Sequence, residues 1–234
     1  MRIAFIGGTR FIGHWAATEA RRRGHDTLVL HRGEHRCEVE GAREIRVDRA
    51  DPSALARAVA EARADVVIET RAMTRTDAEA SALALKIARV PAIVLSSQDV
   101  YGAFGAVLGH PAPAAVASID ESAPLTVPYP YRGTSRAGAE DYDKKEVEAI
   151  FRAATDDGVP SVCVIRLPAV YGPRDYQRRF GAVVDAIDDR RPVPCAGGAT
   201  WRWTHADVRD VAHAVVLAAE KARAKIAVYN VGEP

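Results

Sequence analysis

A doubly wound α/β sheet, parallel throughout and covered by helices on both faces, is expected from three features of this chain. Short apolar runs recur, longer helix-patterned stretches separate them, and the first run leads straight into a glycine-rich turn at residues 7–13. The strand-like runs are RIAFI (2–6), DTLVL (26–30), EIRV (44–47), DVVIE (65–69), AIVLS (92–96) and VCVIRL (162–167). They are continuously apolar rather than alternating, as strands buried on both faces should be. Helices are predicted over 11–23, 53–63, 75–89 and 136–155. The first ends on Arg21-Arg22-Arg23-Gly24, which puts cations on the negative end of the helix dipole and a glycine just after it. The second opens with Asp51-Pro52-Ser53, a helix start signal.

The bulk numbers agree with one domain over 1–234 and a sizeable core. Hydrophobic residues make up 48% and charged residues 27%, which suits a globular protein. A formal net charge of +1 gives no reason to expect a polyanion as the main partner, so nucleic acid is disfavoured. Cys37, Cys163 and Cys195 are few, odd in number and far apart, which favours reduced thiols and a cytoplasmic location over a disulfide framework. No apolar run approaches the length of a membrane span. The amino terminus lacks a secretory cleavage pattern and reads as mature protein. Two long Gly/Pro-containing segments, about 102–134 and 171–205, follow strands at their carboxyl ends, where ligands of such folds sit.

Gly7, Gly8 and Gly13 lie between the first strand and the first helix. Glycines there let the backbone turn sharply and approach a pyrophosphate, and the helix N-terminus offers it free N–H groups. Arg10 stands where a middle glycine is expected. The second strand ends TLVLHRG, with His31 and Arg32 where an NAD site carries an acidic residue for the ribose 2′-hydroxyl. A guanidinium can grip a 2′-phosphate that a carboxylate would repel, so Arg10 and Arg32 point to NADP, with NAD as the alternative. Asp48, after the third strand, is placed either to accept from the adenine amino group or to cap the next helix.

Five stretches in order, GGTRFIG (7–13), SSQDVYG (96–102), RLPAVYGP (166–173), DVRDVA (207–212) and YNVGEP (229–234), carry a resemblance through nearly the whole chain. The chain resembles the extended and atypical short-chain dehydrogenase/reductases, the NAD-dependent epimerase/dehydratase family. The resemblance implies a Rossmann-type sheet with a small C-terminal substrate lobe, here incomplete because relatives continue past the residues matching YNVGEP. It implies coenzyme contacts from Gly7, Thr9, Arg10, Phe11, Ile12, Gly13, His31, Arg32, Asp48 and Leu167. It also implies a small-molecule substrate, sugar-related in many relatives, oxidised or reduced at a hydroxyl or carbonyl carbon, and pairing as a homodimer. The GGTRFIG variant is similar, too, to an atypical branch that includes chloroplast stem-loop RNA-binding proteins. A catalytically degenerate dinucleotide- or RNA-binding regulator is therefore the alternative function.

By the same resemblance, Ser97 would hydrogen-bond the substrate oxygen, and a Tyr four residues before a Lys would act as acid/base, its pKa lowered by the Lys. No tyrosine here has a lysine four residues on. Lys144 matches the family lysine, since Glu148 follows at the matching spacing, but Glu140 stands at the tyrosine position. Tyr142, two residues before Lys144, would point to nearly the opposite side of a regular helix. The acid/base candidates are thus Glu140, Tyr142 if the helix start is distorted, or Tyr101, Tyr129 or Tyr131 from the long loop. Ala169 replaces an Asn that sugar-nucleotide enzymes of this type use. His31, His35 and Cys37 fit no common metal spacing, and no metal is expected. His205 and the Trp201/Trp203 pair read as packing residues.

Overall fold

The computed structural model describes residues 1–107, 119–126, 140–193, 203–222 and 224–233. Its strands are β1 (Arg2–Ile6), β2 (Asp26–His31), β3 (Arg43–Arg46), β4 (Val66–Glu69), β5 (Ala92–Ser97), β6 (Val162–Leu167), β7 (Ala169–Tyr171), β8 (His205–Asp207) and β9 (Ile226–Asn230). Seven of them form one parallel sheet in the order β3-β2-β1-β4-β5-β6-β9, while β7 and β8 pair separately. The order reverses between β1 and β4, which opens a crevice at the carboxyl ends of those strands.

Alternation along β1 assigns the two faces. Ile3 and Phe5 are buried against Ala16, Ala17 and Ala20 of α1 (Phe11–Arg22) and Val211 and Val215 of α7 (Val208–Lys221). Ala4 and Ile6 are buried with Leu55 and Val59 of α2 (Pro52–Ala62), Leu85 of α3 (Arg75–Ala88) and Phe151 of α5 (Lys144–Ala154). The alanine row on α1 keeps bulk off that face, so the helix seats close to the sheet and its first turn meets the end of β1. Two shorter helices, α4 (Gly102–Val107) and α6 (Gly181–Asp188), lie in the segments after β5 and β7. No helix among the described residues is long and apolar enough to cross a membrane.

The strand and helix bounds fall within about two residues of the sequence reading, with one exception that matters. The helix expected from 136 begins at Lys144; residues 136–139 lie outside the described ones. Asp143 stops it from starting earlier, because its carboxylate accepts the N–H groups of Lys145 and Glu146 at 3.0 and 3.1 Å. Glu140 and Tyr142 therefore precede the helix, and the helical-wheel argument that set Tyr142 opposite Lys144 does not apply. Strand β9, which closes the sheet beside β6, was not expected. It is an edge strand with Ile226 and Tyr229 exposed, so its apolar signal is thin.

Candidate functional site

A cleft of about 980 Å³ runs along the carboxyl edge of the sheet, from the glycine turn and the end of β2 to Lys144 and Trp203. Gly7, Thr9, Arg10, Phe11, Ile12, Gly13, His31, Arg32, Asp48, Leu167, Ser97, Tyr142 and Lys144 all line it. Glu140 does not; it is solvent-exposed on the turn before α5.

At the glycine end the backbone makes the site. Gly7 and Gly8 have φ of +91° and +110°, where a side chain is strained. A Cβ on Gly7 would fall on the Thr70 hydroxyl, and one on Gly13 would lie 2.7 Å from Gly8 Cα. The Thr70 hydroxyl in turn donates to Ile6 O at 2.9 Å, locking the ends of β1 and β4 together. Only a turn without side chains packs this tightly, and it leaves the first-turn N–H groups of α1 without intrahelical partners. Phe11, at φ +34°, is a strained non-glycine residue at that helix start. The residues present thus fit a pyrophosphate.

Arg10 does not disrupt the turn, because its side chain leaves the backbone path. Its guanidinium sits 4.0 Å from the centre of the Tyr176 ring and 3.3 Å from His35 Nε2. Arg32, also exposed, pairs with Glu34 at 2.5 Å. His31 is buried and holds Glu44 at 2.9 Å through Nε2. Asp48 accepts the Ala50 N–H at 2.9 Å, and Asp51, not Asp48, caps α2 by accepting from Ala54. The capping alternative for Asp48 is thereby removed. The segment after β7 crosses this end of the cleft. Trp15 Nε1 donates to Pro173 O at 2.9 Å, Arg174 pairs with Glu38, and Tyr176 packs edge-on against Phe11.

At the other end, side chains from three elements converge. Ser97 closes β5 and caps the short 3-10 turn Gln98–Val100, its hydroxyl accepting the Asp99 N–H at 3.2 Å. Tyr142 is buried against Val100 and Tyr101. Lys144 is buried, and its ammonium donates to Ala72 O at 2.6 Å and Leu95 O at 3.0 Å. Burial pushes its pKa down to about 8, against the opposing pull of the Glu69 and Asp77 carboxylates. Asp99 also lines the cleft, with its pKa raised by burial and held back by the Ser97 hydroxyl and the charges of Lys144 and Arg179. Sequence reading passed over Asp99; its place two residues after Ser97, at a strand's carboxyl end, was the available signal.

Behind this corner Glu148 braces the sheet. It accepts both forks of the Arg166 guanidinium at 3.0 and 2.8 Å and the Ser96 hydroxyl at 2.6 Å. Tyr101 receives Arg166 Nη1 at 2.9 Å and donates to Asn230 at 2.8 Å, so its hydroxyl is engaged in this brace and it is not among the cleft-lining residues. Tyr129, Tyr131 and Trp201 lie outside the described residues. Trp203 packs edge-on against Phe104 at 5.1 Å where both line the cleft, and His205 stacks on Phe180 at 4.9 Å. Cys163 is buried in β6, where burial pushes its thiol up to about 11.

The profile of the NAD dependent epimerase/dehydratase family matches residues 3–232. The chain belongs to this family. The 2′-dehydrokanamycin reductase of Streptomyces kanamyceticus is 28% identical to this member over 240 residues, covering 95% of the chain and 60% of the reductase. The chain thus spans about three fifths of that relative's length. Among solved structures, WbmG of Bordetella bronchiseptica in complex with NAD superposes with a TM-score of 0.74 at 20% identity, over 99% of this chain and 72% of that one. MoeE5 in complex with UDP-glucose and NAD gives 0.73 at 21% identity, over 99% and 76%. The UDP-glucose 4-epimerase of Bifidobacterium longum, in complex with NAD+ and UDP, gives 0.72 at 19%, over 99% and 78%. These likenesses establish the shared family fold, a parallel sheet flanked by helices.

Proposed function

We propose that this family member is a nicotinamide-dinucleotide-dependent oxidoreductase that reduces a carbonyl, or oxidises the matching hydroxyl, on a small sugar-like molecule. The observation that carries the reading is the cleft that the glycine turn, Ser97, Tyr142 and Lys144 line together. Its similarity to a dehydrokanamycin reductase supports reduction, and the sugar nucleotides named with its structural relatives support a sugar-like substrate. The coenzyme supplies or accepts the hydride.

This chain's residues do the rest. The first-turn N–H groups of α1 hold the pyrophosphate. Arg32 and Arg10 favour the 2′-phosphorylated coenzyme: both face the same end of the cleft, and Arg32 would exchange Glu34 for the phosphate. Lys144, in its ammonium form, donates to the nicotinamide-ribose hydroxyls. Ser97 donates to the substrate oxygen, and Tyr142 gives that oxygen its proton on reduction or takes it on oxidation. Lys144 nearby lowers the phenol's proton affinity for this task. Asp99, beside Ser97, is the reserve acid. On the substrate side, Phe104, Pro168, Ala169 and Trp203 shape the cleft.

The test is turnover: purified protein with NADPH and a panel of ketosugars and dehydro-aminoglycosides should consume the reduced coenzyme. No consumption with any of them, together with salt-sensitive RNA binding, would replace this reading with the regulatory one.

A further inference from the structure

The turn that holds Lys144 is itself held by charges the proposed chemistry does not use. Glu69, at the end of β4, is fully buried, yet it is not spent on Lys144 by direct contact. Its Oε1 accepts the Arg71 N–H at 2.7 Å and a bond from Arg49 Nη2 at 3.2 Å, and its Oε2 accepts the Ser81 hydroxyl at 2.5 Å. Three residues on, the same turn offers the Ala72 carbonyl to the Lys144 ammonium. Asp77 pins the far end by accepting the Met73 and Thr74 N–H groups at 3.0 and 3.3 Å. Arg49 reaches both carboxylates, with Nη1 3.8 Å from Asp77 Oδ1. Arg49 and Asp77 also line the cleft.

A buried carboxylate is expensive unless it is paired and hydrogen-bonded, and an apolar residue at the end of β4 would cost less. Its presence here needs a compensating role. We propose that Glu69 and Arg49 form a positioning pair for Lys144, fixing the 70–74 turn that carries the Ala72 acceptor and setting the balance of charge around the ammonium.

The electrostatics agree in sign. Glu69 and Asp77 favour the charged lysine, as does Asp99 from the 3-10 turn, whereas Arg49 and burial oppose it. The pair therefore works as a trim. Glu69 favours the charged ammonium against the burial that opposes it, and Arg49 limits how tightly the proton is held. The catalytic meaning of this trim rests on the role given to Lys144 above; its physical existence does not.

The experiment reads the proton directly, without coenzyme or turnover. In full-length protein labelled with ¹³C at the lysine ε-carbons, the Lys144 signal is assigned by its loss in Lys144→Met. Its titration is then followed in Glu69→Gln and Arg49→Met. Glu69→Gln keeps an acceptor for the Arg71 N–H and turns the Ser81 bond round, with the amide NH2 donating to the Ser81 hydroxyl, while removing the charge. The expected result is a Lys144 midpoint lowered by about one pH unit in Glu69→Gln and raised in Arg49→Met. Any other result in folded variants overturns the proposal, including lower melting temperatures with an unmoved midpoint, the mark of a merely structural brace. If Glu69→Gln fails to fold, the direction in Arg49→Met decides alone. A chain without turnover that still shows the opposed shifts would retire the proposed reaction and leave this pair standing.

Discussion

The two ends of the cleft are built in different ways. The glycine end is backbone: one strand, one turn and one helix start, contiguous from Arg2 to Arg22, with glycines at the points where no Cβ fits. The other end is side chain: Ser97 from β5, Tyr142 from the turn before α5 and Lys144 at the first position of α5, its ammonium held by the backbone carbonyl of Ala72 in the β4–α3 turn. The first tolerates Arg10 because a side chain can leave the path that the backbone needs. The second depends on where one helix begins, and Asp143 decides that. Local sequence therefore specifies the glycine turn, while the placement of Tyr142, the proposed acid, depends on a cap.

Substitutions at the two ends should break this contrast in different ways. The largest effect is expected from Lys144→Met, which should lower kcat by about 10³-fold while the protein remains folded by circular dichroism. A variant that turns over normally would remove Lys144 from the chemistry. Next, Tyr142→Phe should lose about 10²-fold in kcat, at the low end for a positioned acid, and Glu140→Gln should lose almost nothing. Parallel steady-state assays of the two variants compare the off-helix tyrosine with the exposed glutamate. The reverse ranking would mean that the turn before α5 is read wrongly.

At the glycine end, Arg32→Ala should weaken NADP by about 10- to 100-fold, the worth of charge-assisted bonds to a phosphate, and leave NAD nearly unchanged. Equal losses in titrations with both coenzymes would sever Arg32 from the 2′-phosphate. A smaller effect lies in the pH profile. The Lys144 ammonium is present below about 8 and is lost above it, so kcat/KM should fall on the alkaline side of that value. A flat profile to pH 10 would contradict a working ammonium.

Outside both ends, Glu19 supplies a baseline. Hydrogen bonds from Arg22 and Arg23 hold its carboxyl down to about 2, against an ordinary 4.5. Its stabilisation is complete above 4.5 and disappears as the pH falls toward 2. Glu19→Gln should therefore cost under about 1 kcal/mol at neutral pH in denaturant melts, with the gap to the parent closing across that window.

The fold was legible because its signals are local and redundant. The apolar runs, Asp51-Pro52 and the glycines each describe a short piece of backbone, and the shared parallel sheet assembles those pieces. The proposed catalytic corner was legible only in part. Ser97 and Lys144 could be found by motif, whereas the status of Tyr142 turned on the next residue, Asp143, capping α5, a competition between side-chain cap and helix extension that periodicity does not register. Asp99 and Glu69 were missed for a related reason. Their significance comes from burial and from partners distant in sequence, Ser81 and Lys144 for Glu69 and Lys144 for Asp99, and only the place of Asp99 just after Ser97 hints at it locally.

The most direct measurement is isothermal titration of the chain with NADPH and with NADH, repeated on Gly13→Val, whose side chain would press on Gly8. The account predicts saturable binding of both, tighter for the phosphorylated form, and loss of both in a variant that stays folded. Absence of heat with either coenzyme in the parent chain, or binding that survives in Gly13→Val, would contradict it.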